Sequence, residues 1–327
     1  MHSNKLTRHS IAVLAFATLA TAPFAVHAQS YPTRPVTVIV PQAPGGANDT
    51  VARVVLAKLS EAMGQQFVVE NRTGAGGNVG TQYAAKAAKD GYTLLLTVGS
   101  AHTINPALYK NAGFDPVRDF DPISVVGTAP YVLAVNANVP VKNVAELVAW
   151  IKAQPSTVNY ASAGNGTLNH LLAEMFKQAA GVNLLHIPYK AAAASVTDVV
   201  NGTIPVTFAS LPAANQFAKS GKLRLLGVAS EKRSALLPEL PAISETVKGF
   251  GATSWYGLLA PAGTPRDIVA RLATEVAKVV AQKDTQERLA SGGGEPMSTT
   301  PEEFAALIRA ELPRWAAIVN ASGARVD

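Results

Sequence analysis

Apolar positions along the chain recur in two periods that trade places repeatedly. Residues 36–40, VTVIV, form a β-branched run closed by Pro41 and glycines, which predicts a strand and a turn. Behind it Val51, Val54, Val55 and Leu59 fall on one helical face, with Asn48 or Asp49 as the N-cap candidate and Gly64 just past the end. QFVVEN then starts a second strand, GGNVGTQYAAKAAKDG its helix, and YTLLLTVGSAHTINPALY a third strand that runs into a loop. The same grammar returns from Tyr131 onwards. YVLAVNANVP, VNYAS, NLLHIPYK, IPVTFAS, LRLLGVAS and TSWYGLLAPAG read as strands; VAELVAWIKAQ, LNHLLAEMFKQAAGV and AAAASVTDVVNG read as helices. RDIVARLATEVAKVVAQ and TPEEFAALIRAELPRWAAIVNAS make a tail of two helices. Strand–helix alternation predicts α/β architecture with mostly parallel sheets. Crossings near Val125–Pro130 and Gly251–Trp255 would give two lobes, with the tail returning to the first.

In such sheets ligands sit outside the carboxyl ends of the strands. Three glycine-rich loops fall there: PGGAND, TGAGGNVG and SAGNGT. Each offers helix-start amides, and a helix start carries roughly half a positive charge. If the first two loops lie on one lobe and the third on the other, they face across a cleft and suit a small anion with more than one carboxylate, without any arginine. The alternative for each loop is that its glycines only permit tight turns and close packing.

The N-terminus narrows the compartment. Lys5 and Arg8 precede an apolar stretch from Ile11 to Val26, and Val26-His27-Ala28 is a small-residue cleavage site, so residues 1–28 read as a signal peptide cut after Ala28. A membrane anchor is the competing reading, against which stand Pro23 and an apolar length below the roughly 20 residues of a spanning helix. Removing the leader lowers the net charge from +6 to +4 and leaves no block of Lys/Arg of the kind that marks a nucleic-acid binder. A mildly positive field favours anionic ligands. The chain has no cysteine, which excludes disulfides, thiolate catalysis and cysteine metal sites.

Nucleotide binding fits poorly. Gly74, Gly76 and Gly80 miss the dinucleotide spacing by one residue, no Gly-Lys-Ser/Thr triplet closes a phosphate loop, and Asp90 in a turn is a poor ribose partner. No Gly-x-Ser-x-Gly elbow is present. Beyond the leader the histidines are His102, which follows a strand and could line the cleft, His170 one turn into a helix, and His186 in an apolar strand. None has metal-helix spacing. Asp115, Asp119 and Asp121 lack the terminal Glu of a calcium loop and read as a solvated turn. No nucleophile, base and oxyanion set assembles, so neither an enzyme nor a cofactor is expected.

Taken in order, YPTRPVTVIVPQAPGGANDTVAR, ENRTGAGGNVGT, DGYTLLL, INPALY, YASAGNGT, HIPYK, GKLRLLGVAS, LLAPAGTP and TPEEFAALIRAELPRWAAIV resemble the Bug-type receptors, the periplasmic solute-binding proteins of the tripartite tricarboxylate transporter family. The resemblance covers essentially the whole chain beyond the leader. It implies a type II, Venus-flytrap periplasmic-binding-protein architecture, with residues 29–128 and 252–327 in one lobe and 129–251 in the other. It further implies a monomer in the periplasm that closes on a small organic acid or related solute and hands it to two membrane subunits of a tripartite transporter. The family's binding loops map onto Gln42, Gly45, Gly46, Ala47 and Asp49 after the first strand, and onto Gly74, Ala75, Gly76, Gly77 and Asn78 after the second. Ser100, Ala101 and His102 follow the third strand. The second lobe supplies Ser162, Ala163, Gly164, Asn165 and Thr167, then Tyr189 and Lys190 of the PYK turn, and Phe208. Glycine-loop amides would hold one carboxylate, and Ser and Thr hydroxyls would complete the grip.

Departures from the family bear on specificity. Gln42 stands where an aromatic residue is common, Thr73 replaces a proline, and Ala191 follows PYK in place of glycine. Phe208 is followed by Ala209 and Ser210, not by an acid, which points to a carboxylate without an amino group. Trp255 and Tyr256 either pack the hinge or stack on a ligand; Trp150 and Trp315 read as core or interface, and Arg72 as a brace for its loop. Two other functions fit the same cleft: an exported enzyme acting on a small acid, or a sensor passing its closed form to a signalling protein.

Overall fold

A computed structural model describes residues 31–326; the leader and its cleavage site lie outside them. Strands β1 (Val36–Val40), β2 (Phe67–Asn71), β3 (Thr93–Val98) and β4 (Phe120–Ala129) build the first sheet with β10 (Ser254–Pro261), in the order β2-β1-β3-β10-β4. Helices α1 (Ala47–Met63), α2 (Asn78–Ala85) and the short α3 (Asn105–Leu108) connect them. The second sheet, β7-β6-β8-β5-β9, is made from β5 (Tyr131–Asn136), β6 (Val158–Ser162), β7 (Leu184–Pro188), β8 (Val206–Ser210) and β9 (Leu223–Val228). Helices α4 (Val144–Ala153), α5 (Leu168–Ala180), α6 (Ala192–Val200) and α7 (Leu211–Lys219) run between its strands, and α8 (Arg266–Val280), α9 (Lys283–Ser291) and α10 (Pro301–Ser322) follow β10.

Each sheet has one reversed strand. β10 runs antiparallel to β3 and β4, and β5 antiparallel to β8 and β9. These two strands are the first elements after the chain changes sheets, at Pro130 and again before Ser254. A reversed strand begins where its parallel neighbours end, so Tyr131, Ser254 and Tyr256 enter their sheets at the same edge as the glycine loops.

Three elements escape the hydrophobic pattern. β4 contains Asp121 and Pro122, and proline is tolerated there because β4 is the edge strand. α7 begins at a Leu-Pro pair with Ser210 as N-cap, and Pro at the first helical turn fits. In α9 only Thr285 and Leu289 are buried, too few for a helical stripe. At α1 the N-cap is Gly46, so Asn48 and Asp49 lie inside the first turn and are buried; Gly64 closes the helix in a left-handed conformation.

Helix α10 starts at a capping box between Thr300 and Glu303. Its first half packs Phe304 and Ile308 against Ile39, Leu95, Val125 and Trp255 of the first lobe. Its second half, with Trp315, Ile318 and Val319, joins the core of the second lobe beside Tyr160, Leu171 and Phe176. Pro313 stands between the two halves. The tail is thus shared, where the pattern assigned it to the first lobe alone.

Candidate functional site

The first glycine loop is fastened by a carboxylate. Asp49 Oδ2 accepts from the Gly45 amide and from Arg53 Nε, both at 2.9 Å, and Oδ1 accepts from Asn71 Nδ2 at 2.9 Å. Asn71 Nδ2 also donates to the Gln42 carbonyl at 3.0 Å, tying the end of β2 to the loop. Burial acts to raise the Asp49 carboxyl, but the bonds from Arg53, Gly45 and Asn71 outweigh it and hold the group down at about 2. Both oxygens of Asp49 therefore serve the loop. Next to it, Asn48 Nδ2 donates to the Leu96 carbonyl at 3.1 Å and to Gln42 Oε1. The carbonyl of Leu96 can only accept, which fixes the amide's orientation and leaves Asn48 Oδ1 buried without a partner.

The second loop is packed against the first. Gly74, Ala75, Gly76 and Gly77 all have positive φ, a run that only a glycine-rich segment sustains. The Gly76 carbonyl accepts from Asn105 Nδ2 at 3.1 Å, and a Cβ on Gly77 would stand 2.9 Å from Gln42 Nε2. Asn78 is buried, its Oδ1 accepting from Asn105 at 2.7 Å. Arg72 lies 3.5 Å over the Tyr83 ring and pairs with Glu70, so it braces the loop from outside.

His102 does not line the cleft. After β3 the chain makes a π-helical turn, Ser100–Ile104, which turns Ser100 towards the cleft and buries Ala101 and His102. The His102 ring sits among Phe114, Phe120 and Trp255, with Nε2 3.0 Å from the Pro116 carbonyl, and burial pushes its pKa down to about 4. Phe208 is likewise a core residue. It packs on Phe176 and Phe250, and every residue of β8 before Ser210 is buried, so no alternation reveals which face it takes.

In the second lobe the glycine loop is held by imidazoles. Ser162 Oγ lies 2.6 Å from His186 Nε2 and accepts from the Gly164 amide at 3.1 Å. His170 Nδ1 accepts from the Gly166 amide at 3.1 Å. The two rings stack at 3.9 Å and 6°, with Tyr160 against His186. Burial lowers both, His186 to about 4, where the neighbouring His170 and Lys177 add to the effect. Thr167 Oγ1 donates to the Gly164 carbonyl at 2.7 Å, and Asn165 reaches the Arg325 carbonyl. Tyr189 donates to Asp198, and Lys190 is exposed.

Between the lobes lies a cavity of about 540 Å³. Of the sequence-derived residues it is lined by Gln42, Gly45, Gly46, Ala47 and Ser100. Gly74 to Asn78, Ser162 to Thr167, Tyr189 and Lys190 stand outside its wall. Apart from Tyr256, for which ligand contact was one of two readings, the sequence reading missed the far wall. Tyr131, Ser254 and Tyr256 come from the starts of the reversed strands, Ser210 from the N-cap of α7, and Arg288 with Gly292, Gly293 and Gly294 from the end of α9. The crossing points were the available signal for the first three, because a crossing must pass the cleft. Burial raises both phenols, and Tyr131 raises Tyr256 further, so both remain neutral donors. Trp255, on the opposite side of β10 from Tyr256, is buried, donates to Glu311 Oε2 at 3.0 Å and packs edge-on against Phe304 in the first lobe's core. Val51, Val54, Leu168 and Leu289 complete an apolar floor. Among the described residues no cluster of His, Asp or Glu could hold a metal ion, and no helix is long and apolar enough to cross a membrane.

The profile of the tripartite tricarboxylate transporter family receptor, TctC, matches residues 51–324, and the chain belongs to that family. It is 36% identical to BugT of Bordetella pertussis over 303 residues, 92% of this chain and 93% of the relative. Among solved structures it is similar to R. palustris Rpa4515 with adipate, at a TM-score of 0.74 and 36% identity over 90% of this chain and 100% of the other. It is also similar to MatC from Rhodopseudomonas palustris with bound malate, at a TM-score of 0.70 and 30% identity over 88% of this chain and 100% of the other. The Bug-type resemblance and the two-lobed α/β architecture stand, and receptors of this family are periplasmic solute-binding proteins.

Proposed function

We propose that this chain is a non-catalytic periplasmic receptor that closes its lobes, residues 29–128 with 252–327 and residues 129–251, the end of α10 being shared with the second, around a small carboxylate without an amino group. As a monomer it then delivers that cargo to the membrane subunits of a tripartite tricarboxylate transporter. The observation that carries this reading is the interlobe cavity, where the starts of α1 and α7 meet neutral phenols and hydroxyls. Among the described residues no carboxylate lines that wall to pair with an ammonium group, and the nearby Asp49 is committed to its own loop. Two relatives at 30% and 36% identity hold the dicarboxylates malate and adipate, which supports the same ligand class. Amides of the second and third glycine loops would join the grip as the lobes close.

The test is thermal unfolding of the mature protein, unfolded and refolded to strip co-purified ligand, against mono-, di- and tricarboxylates, aromatic acids, acidic amino acids, nicotinamide and nucleotides. A cargo at 100 times its Kd stabilises the fold by about 2.7 kcal/mol, a shift of a few degrees. Shifts are expected with carboxylates alone, with the ligand recovered unchanged after incubation. A response to aspartate alone, or to nucleotides alone, would overturn the reading.

A further inference from the structure

Arg288 is the one charged side chain on the wall of the interlobe cavity, and it takes part in no salt bridge within 4.0 Å among the described residues. It is also firmly placed. Leu289 beside it is buried in the first lobe's core, and the turn that follows is pinned to the crossing strand: Thr128 N donates to the Glu295 carbonyl at 2.9 Å, and Glu295 N returns a bond to Thr128 at 2.8 Å. Gly293 lies so close to α7 that a Cβ there would stand 2.4 Å from Pro212 Cγ. The guanidinium thus hangs from a fixed helix end.

The cavity's polar groups fall into two sets. One is the start of α1, with the Gly45 to Ala47 backbone and the unpartnered Asn48 Oδ1, which a water donating to both it and a carboxylate would satisfy. The other is Arg288 with the Gly292 to Gly294 turn, on α9. Val51, Val54 and Leu289, all apolar, line the same wall. A volume of about 540 Å³ falls within the range of roughly 300–1,000 Å³ typical of sites for drug-sized ligands, more than a four-carbon acid requires. A guanidinium matches a carboxylate bidentately. The Arg288 charge acts on Asp284 one turn back, but no salt bridge holds it among the described residues, so on a wall otherwise neutral it is free to meet a second negative charge.

Resting on the receptor reading above, we propose that Arg288 anchors the second carboxylate of the cargo, so that the cleft selects α,ω-dicarboxylates with an apolar chain between the charges. The helix start binds one end and Arg288 discriminates the other.

Titration calorimetry would compare wild type, R288Q and R288K against α,ω-dicarboxylates from succinate to suberate and the monocarboxylates of the same length. Wild type is expected to prefer a diacid of intermediate or greater length over its monoacid. R288Q should weaken that diacid roughly ten- to hundredfold and leave the monoacid unchanged, with R288K in between. The melting temperature of free R288Q, unchanged because the side chain is exposed, shows that the fold is intact. If R288Q binds the diacid as wild type does, or weakens both acids equally, the anchor is wrong while the receptor reading stands. If wild type binds none of these acids, the anchor fails; if the tricarboxylates and aromatic acids of the wider panel are silent as well, the receptor reading fails with it.

Discussion

Two glycine-rich helix starts present the same motif and are held by opposite chemistry. At α1 a carboxylate collects three donors, Gly45, Arg53 and Asn71, and its charge is what makes the brace work. At α5 two neutral imidazoles support the loop, His170 accepting from the Gly166 amide and His186 bonded to Ser162 beneath Gly164. The first brace needs a charge and the second needs its absence. Each brace starts within its own segment, at Asp49 in PGGAND and at His170 in the first turn of α5, and is completed from a neighbouring strand, at Asn71 and at His186.

The comparison can be broken hardest at Asp49. D49A removes a buried carboxylate, frees the Gly45 amide and leaves Asn71 Nδ2 with the Gln42 carbonyl alone. A loss of about 3 kcal/mol or more is expected, read as a lower urea midpoint, with Arg53 remaining solvated and softening the effect. Acid should then separate the two loops. His102 and His186 are depressed from 6.5 to about 4, and His170 is lowered as well. Between those values the unfolded chain binds more protons, so stability is complete above about pH 6.5 and falls as pH drops towards 4. The fully buried His102 alone accounts for about 3 kcal/mol of that loss, and H102Q should flatten the slope. Protonating His170, whose pKa lies below 6.5, also removes the acceptor for Gly166, so protection of the Gly164 to Thr167 amides, relative to their intrinsic exchange rates at each pH, should fall as acid is added. Exchange at Gly45 to Asn48 should hold, because Asp49 stays ionised until the pH nears 2. The smallest effect is expected from S162A, about 1 kcal/mol with faster exchange at the Gly164 amide, since it frees one amide and one imidazole nitrogen.

Much of the frame was legible because it is written in periodicity. α1 buries a helical face, β1, β3 and β6 are short, largely apolar runs buried almost throughout, α5 is a long apolar segment, and the glycines mark the strand ends. The site was half legible. Gln42, Gly45, Gly46, Ala47 and Ser100 line the cavity because the position after a strand suffices to find them. Arg288 stayed hidden since α9 buries only Thr285 and Leu289, and a helix without a stripe leaves its residues unplaced. His102 and Phe208 were misread for a different reason. Their sequence position is right, but a π-helical turn in one case and a strand buried on both faces in the other decide where the side chain goes.

Helix α10 carries a consequence in time as well as in space. The middle of the chain, from Tyr131 to Val228, contains every strand of the second sheet. Its core nevertheless borrows Ile104 and Leu108 from upstream and Trp315, Ile318 and Val319 from the last turns before Ser322. A chain made from its N-terminus onwards therefore has every strand of the second sheet in place before the helix that completes its core, and that core cannot seal until α10 has been made. The same helix packs Phe304 and Ile308 into the first lobe, so the two cores reach their final packing on one shared element.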